Sequence, residues 1–354
     1  MANKRLFYAV YAAGIARDGS ASYTPIHGLQ SVGLTTTFNL EEVFEIGQVN
    51  IYEQIETLPD IEVTLEKVLD GYPPIYLLAT QQGTSSSLVG RSVAKCSVAL
   101  SIFNDTNDSA SGTPNTEVNM SGMYVSSPSW NFPVDGNFTE SLTLVGNHKQ
   151  WKSAAFTFSG SIFNNLDQPL AVTSGVGGVN RREDLLFTPT GNAWTGTNYT
   201  ILPAGQYGGI PGISTSGTND KTADVYGAHI QNISVSTNLG RTNLNELGRK
   251  NPYFRYVEFP IEVTCEIECI NINGDQVSAA EDGVVPGSGT NLEDKRIKLV
   301  CREGTILDLG TRNKLASVSD TGGDATGGNR SMTFSFSNFN YLNVTHVQDP
   351  ASLA

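Results

Sequence analysis

The chain has 354 residues, with 22 Lys and Arg against 35 Asp and Glu and a formal net charge of −13. Charged residues make up only 16%, hydrophobic residues 39%, and Gly numbers 36, a profile of many short strands joined by polar turns rather than of a helix-rich protein. Proteins that grip nucleic acid through its phosphates carry a basic face, so this balance excludes ordinary nucleic-acid binding while leaving room for a surface that keeps DNA from sticking.

In chain order, Lys4 and Arg5 precede an apolar run, as in a signal peptide, but Tyr8 and Tyr11 interrupt it and residues 7–11 read as strand. Leu29 to Leu34 alternates and predicts a strand. Asn39-Leu40-Glu41-Glu42 sets a capping Asn three residues before a Glu, and Gly47 follows as a stop, which predicts one or two helical turns. Pro59 then leads into Ile61-Glu62-Val63-Thr64-Leu65-Glu66, a period-two strand whose start suits a missing ladder donor. Further strands are predicted over 93–103, 122–125 and 138–145, with a polar loop at 104–119. Residues 170–226, rich in Gly, Thr and Pro, predict a long loop that reaches toward a neighbouring molecule. The pattern then recurs. Ile230 to Val235 alternates, Asn243 precedes Glu246 by three with Gly248 as the stop, and Pro260 leads into Ile261 to Glu268. Strands at 298–302 and 332–336 and loops at 271–292 and 318–329 complete the chain.

This recurrence is an internal repeat. With Gln30 aligned to Gln231, Thr36, Glu45, Gly47, Asn50, Tyr52 and Pro59 fall on Thr237, Glu246, Gly248, Asn251, Tyr253 and Pro260. Treating Asp60 as an insertion lays Ile61 to Thr64 over Ile261 to Thr264 and Glu66 over Glu266. Twelve of 36 aligned positions are identical, against roughly one in fifteen by composition. The expected architecture is therefore mainly β, in two tandem sandwich or barrel modules, each with a short helix, plus extended arms and loops. The first module is expected over 1–170 and the second over 171–354, opened by the loop at about 171–226. Gln30, Gly47, Tyr52, Pro59, Gln231, Gly248, Tyr253 and Pro260 define the repeat.

A constellation for chemistry is not evident. His27, His148, His229 and His346 are scattered, with His27 and His229 beside the repeated Gln, which suits packing or an interface. The sequence holds no GxSxG, HExxH or P-loop pattern. Residues 320–329 are rich in Gly and Asp but lack the ligand spacing of a calcium loop. Cys96, Cys265, Cys269 and Cys301 are too few and too sparsely spaced for a disulfide framework or zinc site and read as buried core thiols. No catalytic residue, metal or cofactor is expected, and no stretch approaches the ~20 apolar residues that span a bilayer.

The charge pattern is more informative. Residues 41–70 hold nine acidic side chains and one base, Lys67. In the strands that begin at Ile61 and Ile261, apolar residues alternate with Glu and Thr, so one face is oily and the other acidic. Glu62, Glu66, Glu262, Glu266 and Glu268 share the acidic face.

Residues 229–268, their partner ending IEVTLEKVLDGYPPIYLLAT at 61–80, and the stretch from Tyr124 to Leu144 resemble the tail tube proteins of long-tailed bacteriophages. The resemblance implies a virion protein made in the host cytoplasm, with four strands of each module facing a lumen and arms joining stacked rings. Rings of six modules imply a trimer with pseudo-sixfold symmetry, a hexamer being the other possibility. The implied partners are other copies of the chain, tail-tip or baseplate, terminator and sheath proteins, and double-stranded DNA passing without specific binding. On this reading the five glutamates line the bore. Twenty-four strands spaced about 4.8 Å and tilted about 40° close a barrel of roughly 48 Å, wide enough for a duplex. Two other readings remain: a tail-tip or baseplate hub with two tube-like modules, and an adhesive, carbohydrate-binding β-protein.

Overall fold

A computed structural model describes residues 8, 11–20, 22–103, 110, 114–152, 178–187, 210, 230–249, 251–270, 294–322 and 328–349. The loop expected at 271–292, most of the strand at 7–11 and most of 170–226 fall outside them; within the loops expected at 170–226 and 318–329, residues 185–187 and 318–321 are in strands instead.

The chain is mainly β. The first half forms β1 (Tyr11–Arg17), β2 (Thr24–Pro25), β3 (Leu29–Thr37), β4 (Leu40–Phe44), β5 (Ile51–Glu56), β6 (Asp60–Val68), β7 (Cys96–Ile102), β8 (Thr116–Pro133), β9 (Thr139–Gly146) and β10 (Gln150–Lys152). Two one-turn helices, α1 (Ile75–Ala79) and α2 (Leu88–Ser92), lie between β6 and β7. The second half forms β11 (Leu185–Phe187), β12 (Ile230–Thr237), β13 (Arg241–Leu244), β14 (Phe254–Val257), β15 (Glu262–Ile270) and β16 (Lys298–Cys301). It ends with β17 (Ile306–Asp308), β18 (Lys314–Thr321), β19 (Ser331–Phe339) and β20 (Asn343–Thr345).

Eight strands make one antiparallel sheet in the order β3-β6-β9-β8-β12-β15-β19-β18. The C-terminal half of β8 pairs with β9 on one side and β12 on the other, while its N-terminal half turns away to pair with β7 and β10. Gly122, with φ of +65°, and an irregularity between Val125 and Ser127 mark where β8 changes sheets. A second layer covers one face of the eight strands: β1, β2, β7 and β10 with the start of β8 in the first half, and β11-β16-β17-β20 in the second. One apolar cluster fills the space between the layers and draws on both halves, from Ile15, Val98 and Leu142 to Leu299, Phe334 and Val344. All four cysteines are buried thiols in it or at its edge.

The sheet's two faces follow from the period-two pattern. At one level across the eight strands, Leu29, Lys67, Glu140, Trp130, Val235, Cys265, Phe336 and Leu315 point to the core. Within this row Lys67 and Glu140 are directly opposed and wholly buried. Lys67 Nζ donates to Asp70 at 3.1 Å and to the carbonyls of Tyr72 and Pro73. The Glu140 carboxylate accepts the Ile75 and Tyr76 amides at 2.5 and 2.9 Å, which satisfies buried donors that have no partner within α1. By the sequence repeat, which lays Glu66 over Glu266, the second half has Ile267 opposite Phe334, an apolar pair, where the first has Lys67 opposite Glu140.

The helical turns expected after Asn39 and Asn243 are not formed. Both segments are two-stranded ribbons, β4–β5 and β13–β14. A cap contributes about 1 kcal/mol, whereas a ribbon satisfies a run of backbone groups. The β-branched and aromatic residues Val43, Phe44, Ile51, Tyr52 and Ile55 favour the ribbon. Asn39 does not cap: its Nδ2 donates to the Leu58 carbonyl and to Asp60, closing the ribbon's base. Gly47 and Gly248, at φ of +99° and +86°, are turn residues at the ribbon tips rather than helix stops.

Burial drives Glu140 up to about 7, against the pull of the two amides and Lys67. An ordinary unfolded Glu titrates near 4.5, so between there and about 7 the unfolded chain releases a proton that the folded chain keeps. Stability therefore falls as pH rises through that window. Glu140→Gln keeps one acceptor for the two amides and leaves Lys67 without the opposing carboxyl, so it should be less stable than the wild type at pH 5. Lacking this titration, its Tm deficit should narrow by several degrees between pH 5 and pH 8, measured by differential scanning fluorimetry.

Candidate functional site

The face of the eight-stranded sheet away from the core is open and almost wholly polar. One level reads Ser31, Glu66, Ser141, Ser129, Ser236, Thr264, Ser337 and Lys314. The next level in the second half reads Asn131, Ser234, Glu266, Ser335 and Ser317, and the one beyond it Pro133, Asn232, Glu268, Thr333 and Ser319. All five glutamates singled out in the sequence lie on this face, exposed or half-exposed, between buried Ile61, Val63, Leu65 and Val263, Cys265, Ile267. They occupy β6 and β15, the second strand of each set of four.

These carboxylates stand apart from any cation. Glu66 accepts a hydrogen bond from Ser31 Oγ at 3.1 Å, and among the described residues none of the five is in an ion pair. Glu62 and Glu66 lie four residues apart, about 13 Å along the strand, beyond the Debye length of about 8 Å at physiological salt. Their mutual repulsion is thus weak, while the face as a whole keeps a negative potential. Between them stand short hydroxyls, and in these levels Lys314, at the β18 edge, is the one cation.

The sheet ends in two strands that each have a neighbour on one side alone among the described residues. β3 pairs with β6 and β18 pairs with β19. Each leaves a row of backbone donors and acceptors without a ladder partner. Val32 is 38% exposed at the first edge, and at the second Leu315 and Val318 are only partly covered by the core.

The residues that define the repeat occupy matching places. Gln30 and Gln231 are the extra residue at a register shift in β3–β6 and β12–β15. Tyr52 and Tyr253 lie exposed on the two ribbons. Pro59 and Pro260 lead into β6 and β15, with Pro260 following a cis peptide bond. The two ladders differ in one respect: Leu34 faces Val63, whereas Val235 faces Cys265. That offset of two residues keeps every side chain on its face.

The ribbons differ in surroundings. The β13–β14 ribbon lies against the first half of the chain. Arg241 donates to the Val125 carbonyl at 2.8 Å and the Ser92 carbonyl at 2.7 Å, with its guanidinium 5.0 Å from the centre of the Tyr124 ring. Burial lowers Arg241 to about 10, so it stays charged at neutral pH. Phe254 meets Tyr124 edge-on, and Arg255 donates to Asn147 at 2.6 Å and reaches Asp60 at 3.3 Å. Leu239, just before the ribbon, is buried, and its amide donates to the Ser126 carbonyl. Among the described residues the β4–β5 ribbon has no such seat; Phe38, Leu40, Phe44 and Tyr52 are all more than half exposed.

The histidines lie apart. His27 stacks on Tyr72 with centroids 3.7 Å apart, His148 bonds to Ser121, and buried His346 bonds to Glu303. His229 lies outside the described residues. Among the described residues, no group of three or more metal-ligating side chains converges and no helix is long and apolar enough to cross a membrane.

No family model and no curated protein matches the sequence. Among solved structures, a chain of the anti-feeding prophage baseplate is 13% identical, covers 43% of this chain and 97% of its own, and has a TM-score of 0.33. A chain of the same prophage's tube-terminating cap is 15% identical over 44% of this chain and 95% of its own, with a TM-score of 0.31. A chain of the PVC sheath–tube complex, an extracellular contractile injection system, gives 15%, 43%, 95% and 0.31. All three are parts of phage-like tail or injection machines.

The seat of the β13–β14 ribbon can be weighed by removing its central cation. Arg241→Ala leaves the Val125 and Ser92 carbonyls without their donor and should cost about 1–3 kcal/mol, read by equilibrium urea unfolding.

Proposed function

We propose that this chain is a structural tail subunit made of two copies of one module. Copies join head to tail into rings that stack into a tube, with the polar sheet face toward the bore. The observation that carries this reading is the strand order. The set β3-β6-β9-β8 is followed, within one sheet and in the same sense, by β12-β15-β19-β18. Inside the chain, the last strand of the first set pairs with the first strand of the second, β8 with β12. Repeating that step joins β18 of one copy to β3 of the next, which uses up both open edges and leaves none when the ring closes. Core-facing Val32 and Leu34 then meet Val318 and Leu315, as Ile233 and Val235 meet Phe132 and Trp130 within the chain.

Three copies bring 24 strands into the ring, the number whose bore, roughly 48 Å across the backbone, admits duplex DNA. The glutamates of β6 and β15 recur at every fourth strand, giving negative collars separated by hydroxyl-bearing strands. DNA then slides along the wall because the wall releases no counterions to hold it.

Negative-stain microscopy of the purified protein should show hollow cylinders. Isolated rings that never lengthen would favour a tail-tip or baseplate hub, and particles without a bore would reject the reading. Val32→Lys sets an unpaired charge at a sheet edge; it should still fold, at a modest cost in Tm for a side chain that is 38% exposed, yet give no rings. Changing the five glutamates to Lys should leave cylinders that retain DNA in a salt-dependent manner, by co-sedimentation, where wild-type cylinders retain none.

A further inference from the structure

The two ribbons occupy equivalent places in the repeat but carry opposite charge. Residues 40–56 hold Glu41, Glu42, Glu45, Glu53 and Glu56 with no base, whereas residues 241–257 hold Arg241, Arg249, Lys250 and Arg255 against Glu246 alone. The basic ribbon is seated on the first half of its own chain, where Asp60 pairs with Arg255. The acidic ribbon is joined by no hydrogen bond or ladder to the rest of the chain beyond its base at Asn39 and Thr57, among the described residues.

We infer that the β4–β5 ribbon is a docking arm for a second copy of this chain, and that its seat is the basic end of that copy's β18. This rests on the head-to-tail reading above, in which β3 pairs with the partner's β18 as β12 pairs with β8. The basic ribbon follows β12 directly and lies over the flank of β8 at Tyr124 and Val125. The acidic ribbon follows β3 in the same way, so it comes over the corresponding flank of the neighbouring copy's β18. That flank carries Arg312 and Lys314, both exposed, next to Lys295 and Arg296. Asp294 and Asp308, which bridge to Lys314 and Arg296, offset part of this charge, and Asp320 lies at the far end of β18 beside Arg330.

The chemistry of the seat inverts with the arm. By the repeat, Phe38, Leu40, Glu53, Gln54 and Glu56 stand where Leu239, Arg241, Phe254, Arg255 and Val257 stand in the seated ribbon. Leu239 is buried beneath its ribbon, whereas Phe38 is 68% exposed and has no cover in a single copy. Phe254 meets an aromatic ring; Glu53, its counterpart, comes to the guanidinium and ammonium of Arg312 and Lys314. An acidic arm thus recognises a basic flank in trans, and a basic arm an acid-bearing flank in cis. The charges reject the wrong pairing of either arm as well as favouring the right one.

The test uses full-length chains: wild type, Glu53→Lys/Glu56→Lys, Arg312→Glu/Lys314→Glu, and the four-residue swap. Self-association is followed by sedimentation velocity at low and high salt, with negative-stain images of each. Either reversal should weaken association by about tenfold or more at low salt, and the swap should restore it. If a reversed arm lowers Tm, Glu53→Gln/Glu56→Gln should still show an intermediate loss. Rings from the arm variants as abundant as wild type, or a swap that restores nothing while folding normally, would overturn the arm's seat and leave the tube reading intact. A wild-type chain that stays monomeric would instead overturn the head-to-tail reading itself.

Discussion

The rest of the architecture depends on the five-residue ladder between β8 and β12. It converts two four-stranded sets into one eight-stranded sheet, and it does so without using the strands at either end. A finite antiparallel sheet must leave two edges, and a soluble protein ordinarily blunts them with charge, proline or a covering loop. Here β3 carries no charged residue, and β18 carries charge only near its two ends, at Lys314 and Asp320, with Leu, Ala, Ser and Val between them. The chain also contains, in its own middle, the contact that would satisfy them. A head-to-tail interface of this kind closes into a ring or extends without limit, and the curvature of the sheet decides which.

The two halves share strand order but not interior chemistry. Lys67 and Glu140 sit opposite one another in the first half and carry α1 on the core side of the sheet, with Asp70 completing the charge balance. Buried ions of this kind add little net stability, because desolvation offsets the attraction, but removing one partner is costly. At the equivalent place in the repeat the second half has Ile267 and Phe334 instead, and its buried polar pairs, Arg302 with Asp184 and His346 with Glu303, lie elsewhere. The polar dock for α1 is therefore local to the first half.

Much of this was legible from period-two alternation. Ile61 to Glu66 and Ile261 to Glu268 announced both the strands and the face on which the glutamates lie, because a strand's alternation fixes facing without any knowledge of its neighbours. The recurrence of Gln, Gly, Tyr and Pro marked positions that the fold uses in matching ways: a register shift, a left-handed turn residue, an exposed aromatic and a strand start. The ribbons were misread as helical turns. An Asn followed three residues later by Glu, with a Gly beyond, has the grammar of a cap and a stop, but the competing strand lay only seven residues downstream. Local pattern carries no record of that partner. The α1 dock was missed for the same reason, since its anchor, Glu140, is 65 residues from the Ile75 amide it accepts. Nor did Arg241 and Arg255 declare themselves: their partners at Val125, Ser92 and Asn147 lie more than a hundred residues away.

In the proposed ring, two modules in one chain would permit a division of labour that six identical ones do not. In a ring of identical modules every arm must suit every flank, so any charge placed on the arm has to be matched by the same flank it protrudes from. With two modules per chain, the arms can diverge in sign as long as each flank diverges with them. Leu40 and Arg241, or Glu53 and Phe254, occupy aligned positions in the repeat yet are opposite in character. In the proposed ring, acidic and basic contacts would alternate, the basic arm's contact being made as the chain folds and the acidic arm's only when a second copy arrives. Folding and assembly are then separable events on one sheet. The contact that must not form prematurely is the one whose electrostatics are weakest in isolation, because five like charges on an exposed ribbon keep its apolar residues in water until an opposite surface is offered.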